Sequence, residues 1–188
     1  MLKLYIVRHG KTLFNQKHLI QGCCDSPLTP EGIQQAQKLH DELENIPFNA
    51  CYVSPMHRAI ETATTIIQDR DIPLFINNNL KEFNFGSIEG DSEEKLKTIY
   101  PILHGQTVDG FDGDNMPDFT KRILKGLDEI HAKNKEGNIL VVTHSGVITA
   151  LLNAISNLPE KDIIRIKNCS VTQLEWNYGW KICNKNHA

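Results

Sequence analysis

The stretch NILVVTHSGVITALLNAIS, residues 138–156, decides the fold. Asn138 to Thr143 is a nearly continuous apolar run of strand-forming residues, the pattern of a strand buried on both faces of a parallel sheet. His144-Ser145-Gly146 then turns directly into a helix from Val147 to about Ser156. A second β-rich run, Leu2 to Val7, opens the chain and is followed by Arg8-His9-Gly10. Between these two strands the periodicity alternates. Thr29 to about Asn45 reads as a helix, capped by Thr29, with Pro30 in the first turn and an apolar stripe of Ile33, Ala36, Leu39, Leu43 and Ile46. Asn49 to Val53 and Pro73 to Ile76 read as strands, and Ser54-Pro55 as the cap and first position of a helix. About Pro117 to Lys135 is a long amphipathic helix; Val171 to Trp176 and Trp180 to Cys183 form a hairpin around Asn177-Tyr178-Gly179. Strands alternating with helices predict an α/β domain with a mainly parallel central sheet.

The composition bounds the function. With 188 residues, 40% apolar and 23% charged, the chain fits one globular domain, 1–188. The net charge of −3 offers no basic field to nucleic acid. An anionic ligand must be gripped by a local positive cluster. No signal-peptide pattern opens the sequence and no apolar run reaches the length of a membrane span. Five cysteines without CxxC or zinc spacing predict reduced thiols and a cytoplasmic setting, with Cys23-Cys24 inert. Glu89 to Asp118 departs from the alternation: it is rich in Gly and Asp, with one helical piece around Glu93 to Tyr100. Such an insertion is either a lid-like binding loop or a disordered surface loop.

Four segments carry chemistry. His9 follows the first strand, where open α/β sheets bind ligands; alone, a histidine there also reads as structural. His144 follows the other central strand, and the N–H groups of Ser145 and Gly146 at the helix start make an anion site; alone, it reads as a helix cap. Arg58 lies in the first helical turn of SPMHRAIETA, residues 54–63, where a bare cation is disfavoured but a phosphate clamp is sensible. The alternative is a surface arginine paired with Glu61 or Glu82. Glu82, in LKEFNFGSIEG, residues 80–90, sits between apolar residues, and desolvation there would raise its pKa toward that of a proton donor. The alternative is an exposed carboxylate.

Taken together and in this order, the segments resemble the histidine phosphatase superfamily, the phosphoglycerate-mutase-like group (branch 1). The matching motifs are Arg-His-Gly, Ser-Pro-x-x-Arg-Ala-x-x-Thr-Ala, Leu-x-Glu-x-x-x-Gly-x-x-Glu-Gly and a second histidine after an apolar strand; they span Leu2 to about Leu152. The resemblance implies a three-layer α/β/α fold. It also implies His9 as a transiently phosphorylated nucleophile, Glu82 as proton donor, and Arg8, Arg58 and His144 around the phosphate. By the same resemblance Asn15, in a Thr-x-x-Asn match at Thr12, donates to a phosphate oxygen. Gln21 and Gly22 continue that loop toward substrate, and Ser145 offers its backbone N–H. No metal or cofactor is required. Lys11 and Ser145 depart from residues common in relatives and bear on loop shape rather than reaction class.

The expected activity is metal-independent hydrolysis of small phosphorylated metabolites. Three alternatives stand: a cofactor-dependent phosphoglycerate mutase, a phosphoprotein phosphatase, and a non-catalytic phospho-ligand binder. The acid-rich insertion, with only Lys95 and Lys97 as fixed cations, argues against a doubly phosphorylated mutase intermediate. Substrate identity and oligomeric state are open, with Lys11, Phe14, Phe83 and Phe111 as candidates for specificity.

Overall fold

A computed structural model describes residues 1–107, 109–156 and 166–186; Val108, within the 89–118 stretch, lies outside them. The order of elements is β1 (Leu2–Arg8), α1 (Leu13–Gln16), α2 (Pro30–Leu43), β2 (Phe48–Val53), α3 (His57–Ile67), β3 (Leu74–Ile76), α4 (Tyr100–Leu103), α5 (Met116–Lys133), β4 (Gly137–Thr143), α6 (Ser145–Ser156), β5 (Val171–Trp176) and β6 (Trp180–Asn186). The strands form one six-stranded sheet in the order β3-β2-β4-β1-β5-β6. β3, β2, β4 and β1 run parallel, while β5 and β6 add an antiparallel edge. The hairpin between β5 and β6 closes on Asn177, whose N–H donates to the Gly179 carbonyl at 3.0 Å.

The alternation of side chains along the central strands builds a core on each face of the sheet. Leu4, Ile6, Ile139 and Val141 pack with Phe119, Ile123, Leu127, Val147 and Leu151 of α5 and α6. Val7, Leu140, Val142 and Val53 pack with Ala36, Leu39, Ala59, Ala63 and Ile66 of α2 and α3. Helices on both sides of a mostly parallel sheet give the α/β/α layering that the resemblance implies. The α2 stripe is shifted from the expected one. Gly32, Ala36, Leu39 and Leu43 face the core, whereas Ile33 is 43% exposed.

A second correction concerns α3. Ser54 and Pro55 do not start it; the helix begins at His57, with Met56 in the capping position and no side-chain cap of its own. The carboxylate of Asp25, from a distant loop, accepts the His57 N–H at 2.6 Å instead. An acceptor brought by tertiary folding has displaced the local one.

Register places the site. Arg8 lies opposite Thr143, and Val53 opposite Val142. The residues after each strand therefore emerge at one level: the His9 N–H bonds the Thr143 carbonyl (2.9 Å) and the Ser54 N–H the Val142 carbonyl (3.0 Å). His9, Ser54 and His144 meet at the carboxyl edge of the sheet, the ligand-binding edge of open α/β folds.

Candidate active site

His9 is buried, and its Nδ1 lies 2.8 Å from the Gly10 carbonyl oxygen. A carbonyl only accepts, so Nδ1 carries the proton and Nε2 keeps its lone pair. Burial, reinforced by the Arg8 and Arg58 guanidinium groups, holds the imidazole pKa well below its ordinary value. The ring is thus neutral at physiological pH, with an unprotonated nitrogen. Gly10 is required by packing: a Cβ there would stand 2.6 Å from the Gly32 carbonyl oxygen. Its N–H donates to Thr62 Oγ1 at 2.9 Å, which ties the turn to α3.

His144 is fully buried, its ring centroid 5.2 Å from that of His9. Burial, then Arg58, keeps this ring neutral as well. Its Nε2 lies 2.7 Å from Ser54 Oγ, which itself accepts the Met56 N–H at 3.4 Å. Among the described residues Nε2 is the acceptor that remains for the Ser54 hydroxyl proton. That assigns the His144 proton to Nδ1, a buried atom with no partner among the described residues.

Arg58 is 1% exposed. Its Nη atoms donate to the carbonyls of Cys24 (2.9 Å) and Gly22 (2.6 Å) and to Asp25 Oδ1 (3.0 Å). The partner is therefore Asp25, not Glu61 or Glu82. Asp25 does double duty, capping α3 and neutralising the arginine in its first turn. Arg58 Nε and Gln21 Nε2 are buried and have no acceptor among the described residues. Unsatisfied buried donors around one point mark a place for an acceptor-rich anion.

The other predicted residues are brought together around one cavity, with fully buried His144 outside its lining and one change at Gly146. Arg8, His9, Asn15, Gln21, Gly22, Arg58, Glu82 and Ser145 all line one cavity of about 840 Å³. Thr12 caps α1 in a reciprocal capping box with Asn15, and Asn15 Oδ1 accepts from the Thr12 N–H and from Asn168 Nδ2. The oxygen is thereby occupied, which turns the donating NH2 end to other uses. Gln21 Oε1 is likewise held by the Thr12 hydroxyl at 2.9 Å. The change concerns Gly146, whose N–H is not open to a ligand. It donates to Glu82 Oε2 at 3.0 Å, while Oε1 accepts the Phe83 N–H. Glu82 is buried against the start of α6, not exposed, and a Cβ at Gly146 would lie 2.4 Å from its Oε1.

Two residues have no role assigned from the sequence: Asn168, which has no signal in its own neighbourhood, and Glu89, which stands in the Leu-x-Glu-x-x-x-Gly-x-x-Glu-Gly motif. Asn168 bridges the His9 carbonyl (2.9 Å) and Asn15. Glu89 accepts the N–H groups of Cys23, Cys24 and Phe85 and so fastens the Gly22–Asp25 loop to the insertion. Burial and Glu89 push the Cys24 thiol up to about 11, which fits the expected inertness. The acid-rich insertion is largely structural: Asp112 accepts the Ser87 N–H, Asp114 the Asn84 N–H, and Asp91 pairs with Lys95. Its helical piece is a 3-10 turn, Glu93–Ile99, running into α4, with Leu96, Tyr100 and Leu103 on the cavity wall. Of the specificity candidates, Lys11 and Phe83 line the cavity, and Phe111 stacks against Phe83 at 6.5 Å. Among the described residues no group of three or more His, Cys, Asp or Glu could hold a metal, and no helix is long and apolar enough to cross a membrane.

The family model of the histidine phosphatase superfamily (branch 1) matches residues 4–186. The chain belongs to that superfamily. Solved structures of similar proteins share its fold over nearly their full length. Phosphoglycerate mutase from Bacillus anthracis is 29% identical with a TM-score of 0.85, covering 98% of this chain and 92% of that one. Phosphoserine phosphatase from Entamoeba histolytica, in complex with 3-phosphoglyceric acid, is 28% identical with a TM-score of 0.85, covering 99% and 97%. Alpha-ribazole phosphatase from Shigella flexneri is 26% identical with a TM-score of 0.85, covering 98% and 96%. Phosphorylated small molecules are thus the common ligands in the names of these histidine phosphatase relatives.

Proposed function

We propose that the chain hydrolyses small phosphomonoesters through a phosphohistidine on His9. One observation carries the reading: a neutral His9 with its proton fixed on Nδ1, next to the His144 ring and lining a large cavity together with Arg8 and Arg58. The Nε2 lone pair attacks phosphorus as the ester P–O bond breaks. Glu82 gives its proton to the departing oxygen. Water then attacks the phosphorus, passes its proton to Glu82, and the P–N bond breaks to return neutral His9. Charge on the equatorial oxygens is met by Arg8, Arg58, the Asn15 and Gln21 amides, the Ser145 N–H and Nδ1–H of His144. The scheme uses no metal. The 89–118 stretch acts as a lid, on the evidence of Leu96, Tyr100 and Leu103 in the cavity wall.

Phosphate release from a panel of phosphomonoesters and 3-phosphoglycerate, without added metal, tests the proposal. Wild type is expected to release phosphate and to form an acid-labile phospho-adduct on His9 in a rapid quench. His9→Ala is expected to lose at least about a thousandfold in rate and the adduct with it. Retention of most of the activity would overturn the mechanism. Mutase activity is the second reading, favoured by the likeness to phosphoglycerate mutase. Against it, Lys11, the third cation on the cavity wall, is held by Glu31 at 2.7 Å. Appearance of 2-phosphoglycerate in place of phosphate would decide for the mutase, and tight phosphate binding without turnover for a binding module. Turnover confined to phosphorylated proteins would decide for a phosphoprotein phosphatase.

A further inference from the structure

The cavity is far larger than a phosphoryl group needs, and apolar side chains make much of its wall. At about 840 Å³ it has the size of a site for a drug-sized ligand. Beside the residues around His9, the wall carries the polar side chains of Gln16, His18, Glu93, Thr149 and Asn153. Its apolar part is made by half-buried Leu19, Phe85, Leu96, Leu103 and Met116. They are contributed by the loop after α1, the insertion and the start of α5. Tyr100 and His104, also on the wall, stack at 4.0 Å and extend the apolar surface with ring faces.

Fixed positive charge on this wall is scarce beyond the residues around His9. Among the described residues the lysines and arginines on it are Arg8, Lys11 and Arg58. Arg8 and Arg58 flank His9, and Lys11 is engaged by Glu31. Glu93 adds a carboxylate to the wall, 3.6 Å from Nδ1 of His18, which also lines it. A substrate carboxylate beside the apolar side chains would lose water without gaining a lysine or arginine and would meet the Glu93 carboxylate. An apolar group there would instead cover exposed side chains.

Accepting the phosphatase reading, we infer that the preferred substrates are phosphomonoesters of uncharged, largely apolar alcohols, with the carboxylated three-carbon phosphates discriminated against. The phosphate end supplies the chemistry common to all esters. The wall of Leu96, Leu103 and Met116 selects the alcohol.

The test compares kcat/KM for esters of primary alcohols, so that leaving-group chemistry is closely matched: 3-phenylpropyl phosphate, glycerol 3-phosphate, O-phosphoserine and 3-phosphoglycerate. Burial of a phenyl-sized group predicts that the phenylpropyl ester exceeds glycerol 3-phosphate by about 10- to 100-fold. The two carboxylated esters should fall below glycerol 3-phosphate. Leu96→Asp should bring the phenylpropyl-to-glycerol ratio to within about threefold, since it puts a charge where the apolar group lies. Inhibition of the wild type by 4-phenylbutylphosphonate and by 2-carboxyethylphosphonate gives the same comparison without a variant, with the former expected to bind at least about tenfold more tightly. Equal rates, or preference for either carboxylated ester, would overturn the inference and leave the phosphatase reading intact. Absence of phosphate release from all four esters, with phosphonate binding still ranked as expected, would instead overturn that reading and keep the apolar selectivity.

Discussion

The Ser54 hydroxyl sits between a backbone N–H and the inner histidine, fully buried. Its substitution should therefore change chemistry more than packing. Ser54→Ala removes the donor to His144 Nε2 and frees the ring to adopt the other tautomer, which withdraws the Nδ1 proton from the phosphoryl oxygens. Expected is a fall in kcat of about 10- to 100-fold with KM changed less, measured by steady-state kinetics beside a circular dichroism spectrum like that of wild type. Parallel losses of helix signal and activity would speak for a purely structural serine. Gly146 offers a second test. Gly146→Ala directs a Cβ at the Glu82 carboxylate, 2.4 Å from Oε1, and must move it. Because alanine suits a helix at least as well as glycine, stability should change by no more than about 1 kcal/mol. Turnover of alkyl esters should drop much more than that of p-nitrophenyl phosphate, whose leaving group needs little protonation. Equal losses on both would count against Glu82 as the proton donor.

At the scale of elements, the start of α3 and the Gly22–Asp25 loop are one unit, joined by Asp25 and by three donors from Arg58 and α3 to that loop. Asp25→Ala removes a helix cap and the carboxylate partner of a buried guanidinium. The cap alone is worth about 1 kcal/mol, and leaving a buried charge less well paired adds to it. A domain of this size should lose roughly 4–8 °C in Tm for a combined ~2 kcal/mol. The same variant should bind orthophosphate at least about tenfold more weakly, because Arg58 is no longer held in place. Thermal unfolding and calorimetric titration measure the two effects, and an unchanged phosphate affinity would show that the Gly22 and Cys24 carbonyls hold the arginine alone.

Over the whole molecule, the two neutral buried histidines couple stability to pH. Both have folded pKa values well below the ordinary value, with burial as the largest cause. The unfolded chain binds protons on them as pH falls through about 6.5, while the folded chain does not. Stability from this source is fully present above that pH and is lost as pH falls toward the lowered folded values. Each histidine contributes a slope of at most about 1.4 kcal/mol per pH unit in that window. Denaturant melts between pH 7.5 and 5 should show the loss, and His144→Asn should reduce the slope. A stability profile flat over this range would mean that the rings accept protons in the folded state.

The sequence by itself determined the alternation of strands and helices and named the candidate reacting groups. Apolar runs of strand-forming residues at Leu2–Arg8 and Gly137–Thr143 can only be buried between helices, and the residues that end them must stand at one edge of the sheet. For this reason His9 and His144 are legible as candidates before any distance is known, while Arg58 is read from its place in a first helical turn and Glu82 from its apolar neighbours. Tertiary structure decided what each polar atom bonds to. Asp25 in place of Ser54 as the cap of α3, Glu82 on the Gly146 N–H, and Asn168 on the His9 carbonyl all join residues more than thirty positions apart. Side-chain hydrogen bonds act over about 3 Å of space whatever the separation along the chain. Periodicity and local propensity carry no record of them.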